Sequence, residues 1–275
     1  MKKNGFLVSV VILAWTTSAA AHEPIFAPGA HVHSKGAHEV SLGYHRARAS
    51  GTGENEAENE YFLEYEYGVT ADLTVSAEVP FEENTVNGNR SSGLGDIQLA
   101  AKYRFLRIDS PGKQYSTAVL FKAKLPTGDD DKSPRLGSGS ADFVGGLAHG
   151  LESRRWYYNT AVRYRLNTEG GGNLEKGDKV FLDLVGGVRP VLSGYRDADT
   201  VLFLELNGER SARNSLNGSS VTDSGGWELF LSPGIFWTYR NYALTSGVQI
   251  PIAENLNGSQ PTSDYRFKLT GKYAF

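Results

Sequence analysis

The chain has 275 residues, no cysteine and a formal net charge of −3. The lack of cysteine excludes a disulfide-stabilised secreted scaffold, and the acidic balance argues against nucleic acid as a partner. Hydrophobic residues make up only 40% of the sequence, and no apolar run after the N-terminal region approaches the roughly 20 residues of a membrane-spanning helix. A β-barrel stays compatible with this composition, because its strands carry their apolar residues in alternation.

The N-terminal region has the features of a secretory signal peptide. Lys2 and Lys3 precede an apolar run over residues 6–15, and small residues follow as far as Ala21. The run is too short to span a bilayer, and the Ala-x-Ala ending is typical of a cleavage site. The sequence therefore predicts a signal peptide over residues 1–21, a mature chain that begins at His22, and export to the periplasm or outer membrane.

Residues 22–38 contain prolines, glycines and histidines and show no strand alternation. Imidazole nitrogens are the commonest zinc and copper ligands in proteins. We expect a periplasmic segment here, with a transition-metal site formed by His22, His31, His33 and His38 as one hypothesis. The alternative is a disordered or plug-like leader with incidental histidines.

From residue 39 onward, apolar and polar residues alternate in twelve segments. In the second segment Tyr61, Leu63 and Tyr65 alternate with Glu60 and Glu64. This period of two predicts strands with one apolar and one polar face. The candidate strands cover residues 39–48, 59–68, 72–82, 95–106, 114–125, 141–151, 155–167, 179–189, 200–209, 227–237, 242–253 and 263–275. The sixth is rich in glycine, and its facing is ambiguous.

The connections alternate between short turns and long polar loops. Short turns lie near residues 69–71, 152–153 and 238–241, whereas residues 83–93, 126–140 and 210–226 form long loops. This alternation is typical of an outer-membrane barrel, and a sheet in lipid must close on itself because lipid offers no partner to a free backbone amide. We therefore predict an all-β fold, a closed antiparallel 12-stranded transmembrane β-barrel over residues 39–275.

The last candidate strand ends on an aromatic residue. Gly271, Tyr273 and Phe275 lie on its apolar face, and this ending is similar to the C-terminal signal that the barrel-assembly machinery recognises. We predict that these three residues form an insertion signal and that outer-membrane lipid surrounds the barrel. An edge strand of a soluble sandwich is the alternative interpretation.

The polar faces carry many charged residues, which a barrel would turn toward its lumen. The predicted lumen-lining charges are Glu60, Glu64, Glu66, Glu78, Lys102, Arg104, Lys122, Lys124, Arg163, Arg165, Asp183, Glu205, Glu228, Arg266 and Lys268. A twelve-strand lumen is narrow, and buried charges must pair or stay hydrated. We expect a constricted interior that acts as a selective path or gate; the alternative is that the charges only keep the inner face wet and rigid.

Catalytic residues are not predicted. His149 is the only histidine after the first strand, and Ser153 in a nearby turn does not make a convincing nucleophile pair with it. The run from Asp129 to Asp131 lacks the spacing of a calcium loop. No enzyme activity and no obligatory cofactor are expected.

Five short motifs lie at the edges of loops in this chain. They are Tyr67-Gly68-Val69-Thr70, Gly93-Leu94-Gly95-Asp96, Leu125-Pro126-Thr127-Gly128, Gly137-Ser138-Gly139-Ser140-Ala141-Asp142-Phe143 and Leu231-Ser232-Pro233-Gly234. In this order the set resembles the outer-membrane transporter family labelled "MetA-pathway of phenol degradation", over most of the chain from residue 39 to 275. The resemblance implies a barrel that moves small, often hydrophobic compounds, and it carries over no catalytic residues.

Three functional hypotheses follow. The first is a porin-like channel or transporter through which small solutes, including hydrophobic or aromatic ones, diffuse passively along a narrow charged lumen. The second is a metal-binding outer-membrane protein that handles heavy metals through its N-terminal histidines. The third is a structural barrel that does not conduct.

Overall fold

The computed structural model describes residues 22–51, 53–194 and 197–275. The predicted signal peptide, residues 1–21, lies outside the described residues. Nowhere in those three ranges is a helix both long and apolar enough to span a bilayer.

The described chain consists almost entirely of strands. They are β1 (His38–Gly51), β2 (Glu54–Gly68), β3 (Leu73–Val86), β4 (Asn89–Leu94), β5 (Gln98–Ser110), β6 (Lys113–Lys124), β7 (Asp142–Ser153), β8 (Trp156–Leu166), β9 (Leu174–Glu175), β10 (Lys179–Val188), β11 (Asp199–Ser211), β12 (Ser215–Leu216), β13 (Ser219–Ser220), β14 (Gly226–Tyr239), β15 (Tyr242–Leu256) and β16 (Thr262–Ala274). A 3₁₀ turn, Gly171–Asn173, precedes β9.

Twelve long strands close into an antiparallel barrel in the order β1-β2-β3-β5-β6-β7-β8-β10-β11-β14-β15-β16. The ring closes between β1 and β16, where Glu39 lies opposite Ala274 and Tyr44 opposite Leu269. Closure gives every wall strand two partners, which the hydrocarbon core of a membrane requires. The predicted 12-stranded closed barrel is therefore confirmed.

The outer wall of the barrel is apolar. Leu42, Leu204 and Leu182 lie on the outward face with 67%, 53% and 55% of their surfaces exposed. Exposed large apolar side chains continue all round the ring, an area far too large for the surface of a water-soluble monomer. An apolar band of this kind is the lipid-facing surface of a transmembrane barrel.

Strands on the long-loop side extend further than the alternation predicts. The sequence predicts a loop over residues 83–93, but β3 continues to Val86 and turns into β4 at Asn87 and Gly88, whose φ angles are 50° and 84°. Positive φ at both positions matches the two-residue turn that suits a twisted hairpin. The strands extend beyond the segment in which apolar and polar residues alternate. Backbone pairing continues outside the membrane, where both faces of the sheet contact water.

The facing of β7, which the sequence left ambiguous, is clear in the structure. Asp142 and Ala148 are buried on the inner side, whereas Phe143 and Leu147 are exposed on the outer side. The glycines of this strand sit on both faces, and they removed the alternation from which facing is normally deduced.

Candidate functional site: the plugged lumen

Residues 22–37, which we call the plug, lie inside the barrel at the end of the short turns. The side chains of Ile25, Ala27, Ala30 and Val32 are all at most 5% exposed. A segment without regular structure is buried this completely only if the walls surround it. The plug therefore crosses the lumen.

Glu205 of β11 anchors the inner bend of the plug. Its carboxylate accepts hydrogen bonds from the backbone N–H groups of Ile25 at 2.6 Å and Ala27 at 2.9 Å, and from that of Phe26 at 3.3 Å. Pro24 and Pro28 flank these three donors and have no N–H of their own. The carboxylate thus satisfies the donors of a bend that has no secondary structure to satisfy them.

Other contacts hold the plug to different sides of the wall. The backbone N–H of His33 donates to Thr74 Oγ1 at 2.8 Å in β3, and His33 Nε2 lies 3.3 Å from Glu66 in β2. At the start of the plug, His22 lies 3.1 Å from Asp199 in β11. Because these strands are spread round the ring, the plug is held from several directions.

Glu23 forms the charged centre of the plug. Its carboxylate lies 2.6 Å from Lys102 Nζ of β5. Burial alone would raise the pKa of Glu23, but the neighbouring charges of Lys102 and Lys272 outweigh it and lower the pKa to about 2. Glu23 is therefore ionised at physiological pH, and it pairs with Lys102 while the plug is docked.

Glycines in the wall make room for the plug. A Cβ atom at Gly234 would collide with Ile25, one at Gly247 would press on Phe26 at 3.0 Å, and one at Gly68 would collide with the carbonyl of Ser34. Gly68 and Gly234 belong to two of the motifs on which the family resemblance rests. Those motifs therefore shape the inner wall to receive the plug.

The other three motifs meet at the opposite mouth, in a cluster that we call the loop knot. Asp96 accepts hydrogen bonds from the backbone N–H groups of Thr127, Gly128 and Ser138 at 2.9–3.1 Å, and from the Ser138 hydroxyl at 2.8 Å. A Cβ at Gly128 would lie only 2.8 Å from the backbone of Gly95. The knot fastens the 126–140 loop to the rim.

A cavity of about 310 Å³ remains in the lumen beside the plug. Pro24, Ile25 and Phe26 of the plug form one side of it, and inward residues of β2, β6, β8 and β10 form others. Two aromatic side chains, Phe62 and Phe181, also line it. It is the space that a solute in the lumen would meet.

The predicted lumen charges all lie at inward positions, where they alternate with exposed apolar residues. Many of them pair: Arg163 lies 2.7 Å from Asp183, Arg266 lies 2.7 Å from Glu209, and Lys124 contacts Asp142. Arg104 pairs with Asp72 at the short-turn rim. Pairing of this kind is what buried charges need in a low-dielectric interior.

Sequence reasoning missed the aromatic residues of the inner face. Phe62 lies between Glu60 and Glu64 and points inward, over Gly43, where a Cβ would collide with its ring. Phe230 and Phe236 are each 1% exposed on the inner side. An apolar residue at a polar position of a strand was the available signal, and it meant contact with the plug or cavity.

The four N-terminal histidines do not converge. His22 lies beside Asp199, His31 and His33 have ring centroids 6.1 Å apart, and His38 stacks outside on Phe275 at 5.2 Å. The possible ligand atoms of His33 lie instead within 4.8 Å of those of Glu39 and Glu66. Lys272 Nζ already lies 2.9 Å from Glu39 and supplies a positive charge there. The arrangement favours an internal ion-pair network over a metal centre.

The predicted insertion signal lies at the seam of the barrel. The backbone of Phe275 exchanges hydrogen bonds of 2.8 and 2.9 Å with His38, and Tyr273 stacks on the Phe275 ring at 5.7 Å. Recognition of Gly271, Tyr273 and Phe275 by the barrel-assembly machinery stays a prediction. His149, the only histidine after β1, points outward and contacts Thr117.

Solved structures with this fold include two outer-membrane proteins. An outer membrane channel from Pseudomonas putida F1 has a TM-score of 0.70 and 18% identity, and the match covers 90% of this chain and 99% of that one. The beta domain of the Bordetella autotransporter BrkA has a TM-score of 0.53 and 9% identity, with coverage of 86% and 98%. At these identities they share the fold alone.

Among curated proteins, none matches this chain in sequence. The closed barrel with its apolar exterior places the protein in the outer membrane. A family model matches residues 21–241, which include all five loop-edge motifs and most of the plugged barrel. The chain therefore belongs to the family described as "Putative MetA-pathway of phenol degradation".

Proposed function

We propose that the protein is a channel through which small solutes diffuse passively across the outer membrane, and that the plug opens and closes it. The observation that carries this proposal is the way in which the plug is held. The backbone N–H groups of Ile25 and Ala27 donate to a single carboxylate, that of Glu205. They are not part of a sheet that would have to unfold before the plug could move. A segment held by a few polar contacts can leave the lumen while the barrel stays intact.

Two further observations support a channel. The cavity beside the plug shows that the lumen is not packed solid. The similar barrel from Pseudomonas putida F1 is an outer membrane channel. The family's description mentions phenol degradation, so small aromatic compounds are the first solutes to test. We propose no catalytic role, since His149 faces outward and lies apart from the lumen.

The test is conductance of the full chain in planar bilayers, with the Glu205→Ala variant beside the wild type. We expect small, infrequent openings from the wild type. Removing the carboxylate leaves three buried amides without an acceptor, at a cost of about 1–3 kcal/mol. The fraction of open channels should rise about 5- to 150-fold. Glu254→Ala, an exposed residue at the far rim, is the matched control and should behave as the wild type.

The same preparations should be loaded into liposomes for a solute-entry assay with phenol and a small sugar. Heat-modifiable migration on gels reports that each barrel is folded. If neither current nor solute entry appears in the wild type or in folded Glu205→Ala, the channel proposal is wrong and the structural barrel is favoured.

A further inference from the structure

The cavity beside the plug has an excess of positive charge that internal pairing does not neutralise. Its lining includes six cations, Lys102, Lys122, Arg163, Arg165, Lys268 and Lys272, and fewer carboxylates. Lys102 pairs with Glu23, Lys272 with Glu39 and Arg163 with Asp183. Within the described ranges, no ion pair within 4 Å involves Lys122, Arg165 or Lys268. On the acidic side, Glu64 and Glu78 also line the cavity without an ion pair, so three unpaired cations face two unpaired carboxylates.

Two of these cations lie in one row of the wall, two strands apart. Lys122 lies opposite Val144 in the β6–β7 register, and Val144 lies opposite Arg165 in the β7–β8 register. Lys179 follows in the same row, opposite Arg165. Arg165 and Lys179 are directly opposite each other, and like charges in such positions repel. An anion placed against the row would remove that repulsion.

Arg163 adds a donor that has no acceptor. It lines the cavity one row further from the loops than Arg165, and one of its terminal nitrogens bonds Asp183 at 2.7 Å. Its Nε is buried and, among the described residues, has no hydrogen-bond partner. Because a buried N–H without a partner is costly, this atom marks where an acceptor is expected.

The rest of the cavity is apolar. Phe181 lies below both guanidinium groups, with ring-to-carbon distances of 4.7 Å to Arg163 and 5.4 Å to Arg165. Ile25 and Phe26 of the plug face the same space. A volume of about 310 Å³ lies at the small end of ligand pockets. Inorganic phosphate would leave these apolar walls unused, whereas a one-ring organic acid would use both parts.

We propose that the cavity binds a small organic carboxylate, with its carboxylate group between Lys122, Arg163 and Arg165 and its apolar body against Phe181 and the plug. The planar guanidinium matches a carboxylate with two parallel hydrogen bonds. The physiological meaning of this site rests on the proposed channel function, but binding itself does not require that the protein conducts.

The experiment is isothermal titration of the detergent-solubilised full chain with benzoate, phenol, benzylamine and inorganic phosphate. We expect saturable binding of benzoate, and binding of phenol that is at least about tenfold weaker because one or two charge-assisted hydrogen bonds are lost. Benzylamine and phosphate should not compete with benzoate. Equal affinity for phenol and benzoate, or displacement of benzoate by equimolar phosphate, would overturn the proposal.

The double variant Lys122→Gln/Arg165→Gln assigns the site within the chain. Its benzoate affinity should fall at least about tenfold, whereas Lys113→Gln/Arg240→Gln, which removes the same charge from exposed turns, should keep wild-type affinity. Unchanged binding in the folded first variant contradicts the assignment. If that variant does not fold, the comparison of benzoate with phenol on the wild type still decides.

Conductance separates this proposal from the channel itself. Saturable benzoate binding without any current would remove the channel and leave the site. Current without a preference of benzoate over phenol would remove the site and leave the channel.

Discussion

Two neighbouring histidines of the plug have pKa values that are shifted in opposite directions. Burial lowers the pKa of His31 from 6.5 to about 4, and the charge of Glu23 offsets only part of this effect. Burial also lowers the pKa of His33, but its hydrogen bond to Glu66 and the charges of Glu66 and Glu39 outweigh it, so its pKa is raised above 6.5. The docked plug therefore holds His31 neutral and favours a proton on His33.

This pair predicts that docking of the plug is strongest near pH 6.5. Between about pH 4 and 6.5 the undocked His31 takes up a proton that the docked one does not, so docking strengthens as pH rises. Above pH 6.5 the docked His33 keeps a proton that the undocked one has lost, so docking weakens as pH rises further. Hydrogen exchange of the plug amides against pH measures both limbs.

Single substitutions should remove one limb each. His31→Gln is expected to flatten the acid limb only, and His33→Gln the alkaline limb only. A pH profile that keeps both limbs in both variants would mean that other groups control docking.

At the scale of elements, the loop knot depends on one side chain. Asp96 accepts from three backbone amides and one hydroxyl across the 126–140 loop, and its pKa is lowered because those hydrogen bonds outweigh the effect of burial. We predict that Asp96→Ala loosens this loop by about 2 kcal/mol or more. Limited proteolysis of intact vesicles should then cut within it.

Asp131→Ala, an exposed change in the same loop, is the control and should leave the loop protected. Equal protection in Asp96→Ala would show that glycine packing, and not Asp96, fastens the loop.

The alternation of the sequence was sufficient to predict the twelve wall strands, but not the short strands of the loops or what touches the inner face of the wall. β2 and its facing follow from the alternation of Tyr61, Leu63 and Tyr65 with Glu60 and Glu64. A shift of one residue would move every apolar side chain of the strand to the inner face. The bonds between the plug and Glu205 join residues about 180 positions apart. No local pattern records them, and the prolines of the plug only indicate that it is irregular.

At the scale of the whole molecule, the apolar outer wall makes the fold stable in lipid and not in water. Leu204 lies at the middle of β11 and is 53% exposed. We predict that Leu204→Arg destabilises the barrel by about 2–4 kcal/mol, as expected for arginine near the midplane. Denaturant titration of the protein folded into phospholipid vesicles measures the difference.

Leu216→Arg is the matched control, because Leu216 is 45% exposed but belongs to the short β12 in the long loop before β14. Its free energy of unfolding should change by less than about 1 kcal/mol. Equal losses in the two variants would mean that lipid does not surround Leu204.

The plug continues directly into β1: Gly36 donates to the carbonyl of Gly68 at 2.7 Å, and the first wall strand begins at His38. Under the proposed function, a plug that is joined directly to β1 cannot diffuse away after its release. Its local concentration near the pore stays in the millimolar range that short tethers give. Closing should then follow first-order kinetics that do not change with the amount of protein in the membrane, and each barrel would reset itself without help from a periplasmic partner.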